Sequence, residues 1–107
     1  MSIEQKNVVD FISFDKNNNK VILTISDHLP WDDEYIHLSL LQDKINVYIE
    51  FIESGKIFKK YPEYKNKTII ISICFKYDII DSCIDFLEKV KNLLHTTNVQ
   101  LEFRKLE

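Results

Sequence analysis

Thr68 to Tyr77 reads TIIISICFKY, and its residues divide cleanly by position. Ile69, Ile71, Ile73 and Phe75 fall on one side of a period-two pattern, and Thr68, Ile70, Ser72, Cys74 and Lys76 on the other. That is the signature of a β-strand with one face in a core. Val21 to Ser26 repeats it, with Val21, Leu23 and Ile25 opposed to Ile22, Thr24 and Ser26. Between these strands the apolar period changes to that of a helix, through Leu38, Leu41, Ile45, Tyr48, Ile49 and Ile52. After Tyr77 it changes again, through Ile80, Ile84, Leu87, Val90 and Leu94, before Val99 to Arg104 (VQLEFR) alternates as a last strand. Two strand–helix–strand units follow, each requiring a right-handed crossover. The strands alternate on one face only, so both helices belong on that face; a doubly wound sheet would be apolar on both.

The remaining segments complete the plan. Val8 to Phe14 pairs with Val21 to Ser26 as a hairpin across DKNNNK, whose asparagines tolerate positive φ. Pro30 breaks the strand pattern, Asp32 is the expected N-cap, and Asp33 and Glu34 suit the positive end of a helix. The first helix is expected over Asp33 to Ser54, with Gly55 as its C′ residue. Lys56 to Lys67 is expected to be less regular, since Pro62 interrupts it, with Ile57 and Phe58 returning to the core. Asp78 or Asp81 caps the second helix, and Thr96 to Asn98 turns the chain. The expected fold is α+β: a two-layer sandwich in the order ββαβαβ, with a mixed four-stranded sheet and two helices on one face, in a single domain over 1–107.

Composition removes several function classes. A net charge of −3 on 107 residues lacks a general nucleic-acid footprint. Gly55 is the only glycine, so neither a P-loop nor a G-x-G-x-x-G turn exists. No apolar run approaches the roughly 20 residues of a membrane span. Met-Ser-Ile-Glu-Gln-Lys does not open a secretion signal, so the cytoplasm is the expected location. Cys74 and Cys83 form no C-x-x-C pair and read as reduced, partly buried thiols. No cofactor is implied. Abundant Ile, Lys and Asn with no Ala suggests an AT-rich bacterial source.

Several stretches carry a resemblance: Val9-Asp10-Phe11-Ile12; Leu23 to Leu29 with Trp31; His37-Leu38; Leu41-Gln42 with Lys44 to Asn46; and Phe51 to Gly55 with Tyr61-Pro62. Together they resemble a family of small bacterial proteins known only as an uncharacterised domain of unknown function. The resemblance spans about Val8 to Arg104. It implies a stand-alone bacterial domain and no activity.

Two clusters could carry function. The first holds Asp27, His28, Trp31, Asp32, Asp33, Glu34 and His37. Imidazoles and carboxylates at a strand exit could bind Zn²⁺ or Mn²⁺ or supply a general base. Yet the histidine spacing matches no established zinc motif, and capping explains the acids equally well. Trp31 reads as a staple under the helix start or as an interface anchor. The second cluster is Lys56 to Lys67, where Lys56, Lys59, Lys60, Lys65 and Lys67 face only Glu63. The segment is +4, leaving −7 for the rest of the chain. Its Phe58, Tyr61 and Tyr64 either anchor a solvated loop or join a patch for an acidic protein, or for nucleic acid. The serines have no nucleophile setting, and His95 suits a helix C-terminus.

The expected function is a non-enzymatic protein-interaction module of the adaptor, regulatory or immunity type. The face opposite the helices, with Ile22, Thr24, Ile70, Ser72, Cys74, Val9 and Phe11, is the expected surface for a protein partner or a homodimer. The alternative is a small metal- or ligand-binding domain, or an enzyme, using the Asp27–His37 cluster.

Overall fold

A computed structural model describes residues 11–106. The sheet has the order β1-β2-β3-β4. β1 (Phe11–Asp15) runs antiparallel to β2 (Lys20–Asp27), while β3 (Thr68–Phe75) and β4 (Val99–Lys105) extend the sheet in parallel. Val8 to Asp10, where the first strand was expected to begin, lie outside the described residues, as does Val9 of the opposite face. The hairpin turn is held by Asp15, whose Oδ1 accepts from the Asn17 and Asn18 amides at 3.0 and 3.3 Å. Asn19 takes the left-handed conformation at φ 57°, as the asparagine run allows.

Both long helices lie on one face, as the alternation requires. α1 (Glu34–Glu53) brings Leu41, Ile45, Tyr48 and Ile52 onto the sheet, and α3 (Asp81–Leu94) brings Cys83, Leu87, Val90 and Leu94. They pack against Val21, Leu23 and Ile25 of β2, Ile69, Ile71, Ile73 and Phe75 of β3, and Val99 and Leu101 of β4. At about 1.5–3 kcal/mol per fully buried aliphatic side chain, this layer supplies most of the driving force for folding.

Three local expectations are corrected. The N-cap of α1 is Asp33, not Asp32: its carboxylate accepts the Ile36 amide at 3.1 Å. The buried stripe of α1 includes His37 and Lys44, whereas Leu38 and Ile49 are only half-buried. His37 has a partner inside, and Lys44 lies over the Tyr48 ring at 5.6 Å from its centroid. Finally, α3 starts after Ile80 with no side-chain cap. Asp78 is drawn instead to Lys105 at 2.6 Å, and Asp81 is the first helical residue, where its charge meets the helix dipole.

Between α1 and β3 the chain is more regular than expected. Gly55 stops α1 at φ 81°, and a short helix, α2 (Lys56–Lys60), follows directly. A 3₁₀ turn over Pro62–Tyr64 then leads to β3. Ile57 is fully buried and Phe58 packs half-buried against the core, which fixes the segment. The order of elements is therefore ββααβαβ, with the sandwich unchanged.

Candidate functional site

Strand alternation delivers Asp27 to the interior. It ends β2 on the same face as Val21, Leu23 and Ile25, opposite Phe75 in the register, and is 1% exposed. A carboxylate there needs partners, because desolvating it alone is strongly unfavourable. It has two. Oδ1 accepts the Leu29 amide at 3.0 Å, and Oδ2 lies 2.5 Å from Nε2 of His37, which is 2% exposed in the first turns of α1. Trp31 closes the group: its ring stacks on His37 with centroids 3.6 Å apart and planes 18° from parallel, and lies 6.4 Å from Phe75. Two buried nitrogens, Trp31 Nε1 and His37 Nδ1, have no hydrogen-bond partner among the described residues.

The neighbouring acids and histidine go elsewhere. His28 and Asp32 are exposed, and Asp33 caps the helix. Glu34 accepts from the Ser82 hydroxyl, linking the starts of α1 and α3. The structure thus brings together Asp27, Trp31 and His37 and leaves His28, Asp32 and Asp33 outside. Among the described residues no three His, Cys, Asp or Glu side chains converge as a metal site requires. Cys83 also feels the pair: burial, and then the negative charge of Asp27, push its thiol up to about 12. It stays protonated, the opposite of what a thiolate nucleophile needs. The geometry fastens the loop between β2 and α1 to the core.

The second cluster is built differently. Phe14 of β1, Tyr64 and Tyr61 form a line of rings, Tyr64 stacking with Phe14 at 5.8 Å and with Tyr61 at 5.3 Å. Lys67 lies over Phe14 and Lys60 over Tyr61, at 5.3 and 5.8 Å from the ring centroids. Lys67 also donates to Asn19 Oδ1 at 2.8 Å. Lys56, Lys59, Lys60 and Lys65 are exposed. The lysines therefore stand on a fixed base of Ile57 and stacked rings. Beside them a cleft of about 350 Å³ opens between the end of α1, the loop at Asn66 and the starts of β3 and β4.

The sheet face opposite the helices carries Phe11, Ile22, Thr24, Ile70, Ser72 and Cys74, as the register predicts. Phe11 is 52% exposed, but Ile70, Ser72 and Cys74 on the central strand are buried.

Cys83, expected to be partly buried, is fully enclosed, and Lys44 is an interior group that the apolar pattern did not include. Its place was legible in principle, since Lys44 follows His37 by seven residues and precedes Tyr48 by four. No helix among the described residues is long and apolar enough to cross a membrane. No curated protein and no solved structure matches the chain. A family model does match, over residues 1–107, and the chain belongs to that family of unknown function (DUF6572).

Proposed function

We propose that this chain is a non-enzymatic protein-interaction module, adaptor, regulatory or immunity-type, that meets an acidic partner through Lys56 to Lys67. The observation that carries this reading is the separation of charge on a fixed surface. A +4 segment on a chain of −3 is held in place by Ile57 and by the Phe14–Tyr64–Tyr61 stack, with Lys56, Lys59, Lys60 and Lys65 turned to solvent. Such a patch steers association and rejects like-charged surfaces. The Asp27–His37 pair supports a ligand site less well, since each group is engaged with the other inside the core. A reducing compartment such as the cytoplasm suits the reading, because both cysteines are free.

The test is capture of the partner from the source cell, purification of the binary complex and measurement of its affinity with Lys59→Glu/Lys60→Glu. Loss of binding, together with weakening of the unmodified complex as ionic strength rises, is the expected result. An affinity indifferent to both removes the basic segment from the interface. A second reading is a homodimer through the opposite sheet face, favoured by the exposure of Phe11. Sedimentation of the free chain and of Phe11→Ser separates the two, since only the dimer dissociates on that substitution.

A further inference from the structure

The cleft beside the basic segment has an apolar floor and a basic lip. Ile52, Phe58, Ile69 and Val99 form the floor, and Lys65 and Lys67 stand at the rim. Asn66, at φ 67°, lies between these two lysines in the chain and lines the cleft with them. We infer that this cleft receives an apolar side chain from an acidic segment of a partner protein, with carboxylates on either side of it meeting the lysines. The inference rests on the interaction reading above and assigns its recognition site.

Charge and shape select this occupant. The floor suits a side chain such as Phe or Leu, and about 350 Å³ holds one such group with room to spare. Phe58 comes from α2, which also carries the exposed Lys56, Lys59 and Lys60, so the segment presents more cations than one small anion needs and suits a chain with several carboxylates. Nucleic acid fits less well. The rings that would stack bases are already used: Tyr64 engages both Phe14 and Tyr61, while Lys67 and Lys60 lie over Phe14 and Tyr61.

The experiment is amide NMR of the full chain titrated with three probes: the acetylated peptide Glu-Asp-Phe-Asp-Glu, the same peptide with Ala at its centre, and a short oligouridylate. The expected result is shifts at Asn66, Lys67, Ile69, Asn98 and Val99 with the Phe peptide. Binding should be at least about tenfold weaker with Ala, the ratio that corresponds to burial of roughly 55 Å² of apolar surface, only part of one aromatic side chain. Equal affinity for both peptides, shifts confined to other surfaces, or a stronger response to the oligouridylate overturns the inference. Asn98→Phe, which fills the cleft and leaves every lysine in place, separates this failure from that of the module. If the captured partner loses affinity with Lys59→Glu/Lys60→Glu but not with Asn98→Phe, the basic interface stands and the cleft does not. If neither variant changes affinity, both readings fall.

Discussion

Nε2 of His37 lies 2.5 Å from Oδ2 of Asp27, and neither side chain reaches solvent. Ten residues apart in sequence, the two tie the end of β2 to the first turns of α1 across a loop containing Pro30 and Trp31. Removing His37 leaves the buried Asp27 carboxylate with the Leu29 amide alone, and removing Asp27 takes from His37 its partner in the core. His37→Ala should therefore destabilise the chain by roughly 3 kcal/mol, a large fraction of a small domain's stability. Replacing both, Asp27→Val with His37→Leu, should be less destabilising than the two single changes together, because no charge is left without a partner. Urea unfolding of the three variants measures this; additive losses would show that the pair is not coupled.

Trp31 presents opposing effects. Its stacking on His37 is worth about 0.5–1.5 kcal/mol, whereas its buried Nε1 hydrogen has no acceptor among the described residues, an omission that costs about 1–3 kcal/mol. Trp31→Phe keeps a ring and discards the unsatisfied donor, so it should change stability by less than about 1 kcal/mol. Trp31→Ala should lose about 2–3 kcal/mol, below the usual range for an enclosed Trp because the ring is half-buried. Thermal unfolding of the two variants gives the comparison.

The Cys83 thiol makes stability depend on alkaline pH. Its ionisation rises from 9.0 to about 12 on folding, through burial first and the Asp27 charge second. The unfolded chain therefore loses this proton at lower pH than the folded chain. The contribution is complete below about pH 9 and is lost as pH rises toward 12. Stability measured across that window should fall, and fall less steeply in Cys83→Ala. At neutral pH, iodoacetamide should label Cys83 only after denaturant is added.

Gly55 separates two helices at a φ of 81°, and a Cβ there would meet no atom within 4 Å. The penalty for a side chain is thus conformational and not steric. Gly55→Ala should cost about 1 kcal/mol and Gly55→Asn less, since Asn tolerates the left-handed region. Equal losses for both would show that something other than backbone conformation sets the effect.

The sandwich was readable because its signal is periodic. Alternation in β2, β3 and β4 and the helical stripes of α1 and α3 reflect which faces are buried, and burial dominates the energetics. Capping was less readable, because Asp32 and Asp33 are chemically equivalent in sequence and only backbone geometry selects the latter. Asp78 shows the same limit, its pairing with Lys105 depending on where β4 ends. In the site, the grouping of Asp27, Trp31 and His37 followed from their nearness in the chain. Their burial did not, since an inward Asp at a strand end looks identical to an exposed one until its partner is found. The short helix α2 lies below the length at which a period can be recognised.

The register of the two central strands has a kinetic consequence. Lys20 pairs with Thr68, so the first parallel rung forms only after a loop of roughly fifty residues has closed, at an entropic cost that local structure does not repay until later. α1, whose backbone hydrogen bonds are all local, can flicker into existence within about a microsecond. The joining of β2 to β3 should therefore limit the folding rate. A chevron analysis would be expected to place the transition state there, with substitutions at Ile25 and Ile73 slowing folding and Gly55→Ala acting chiefly on other steps.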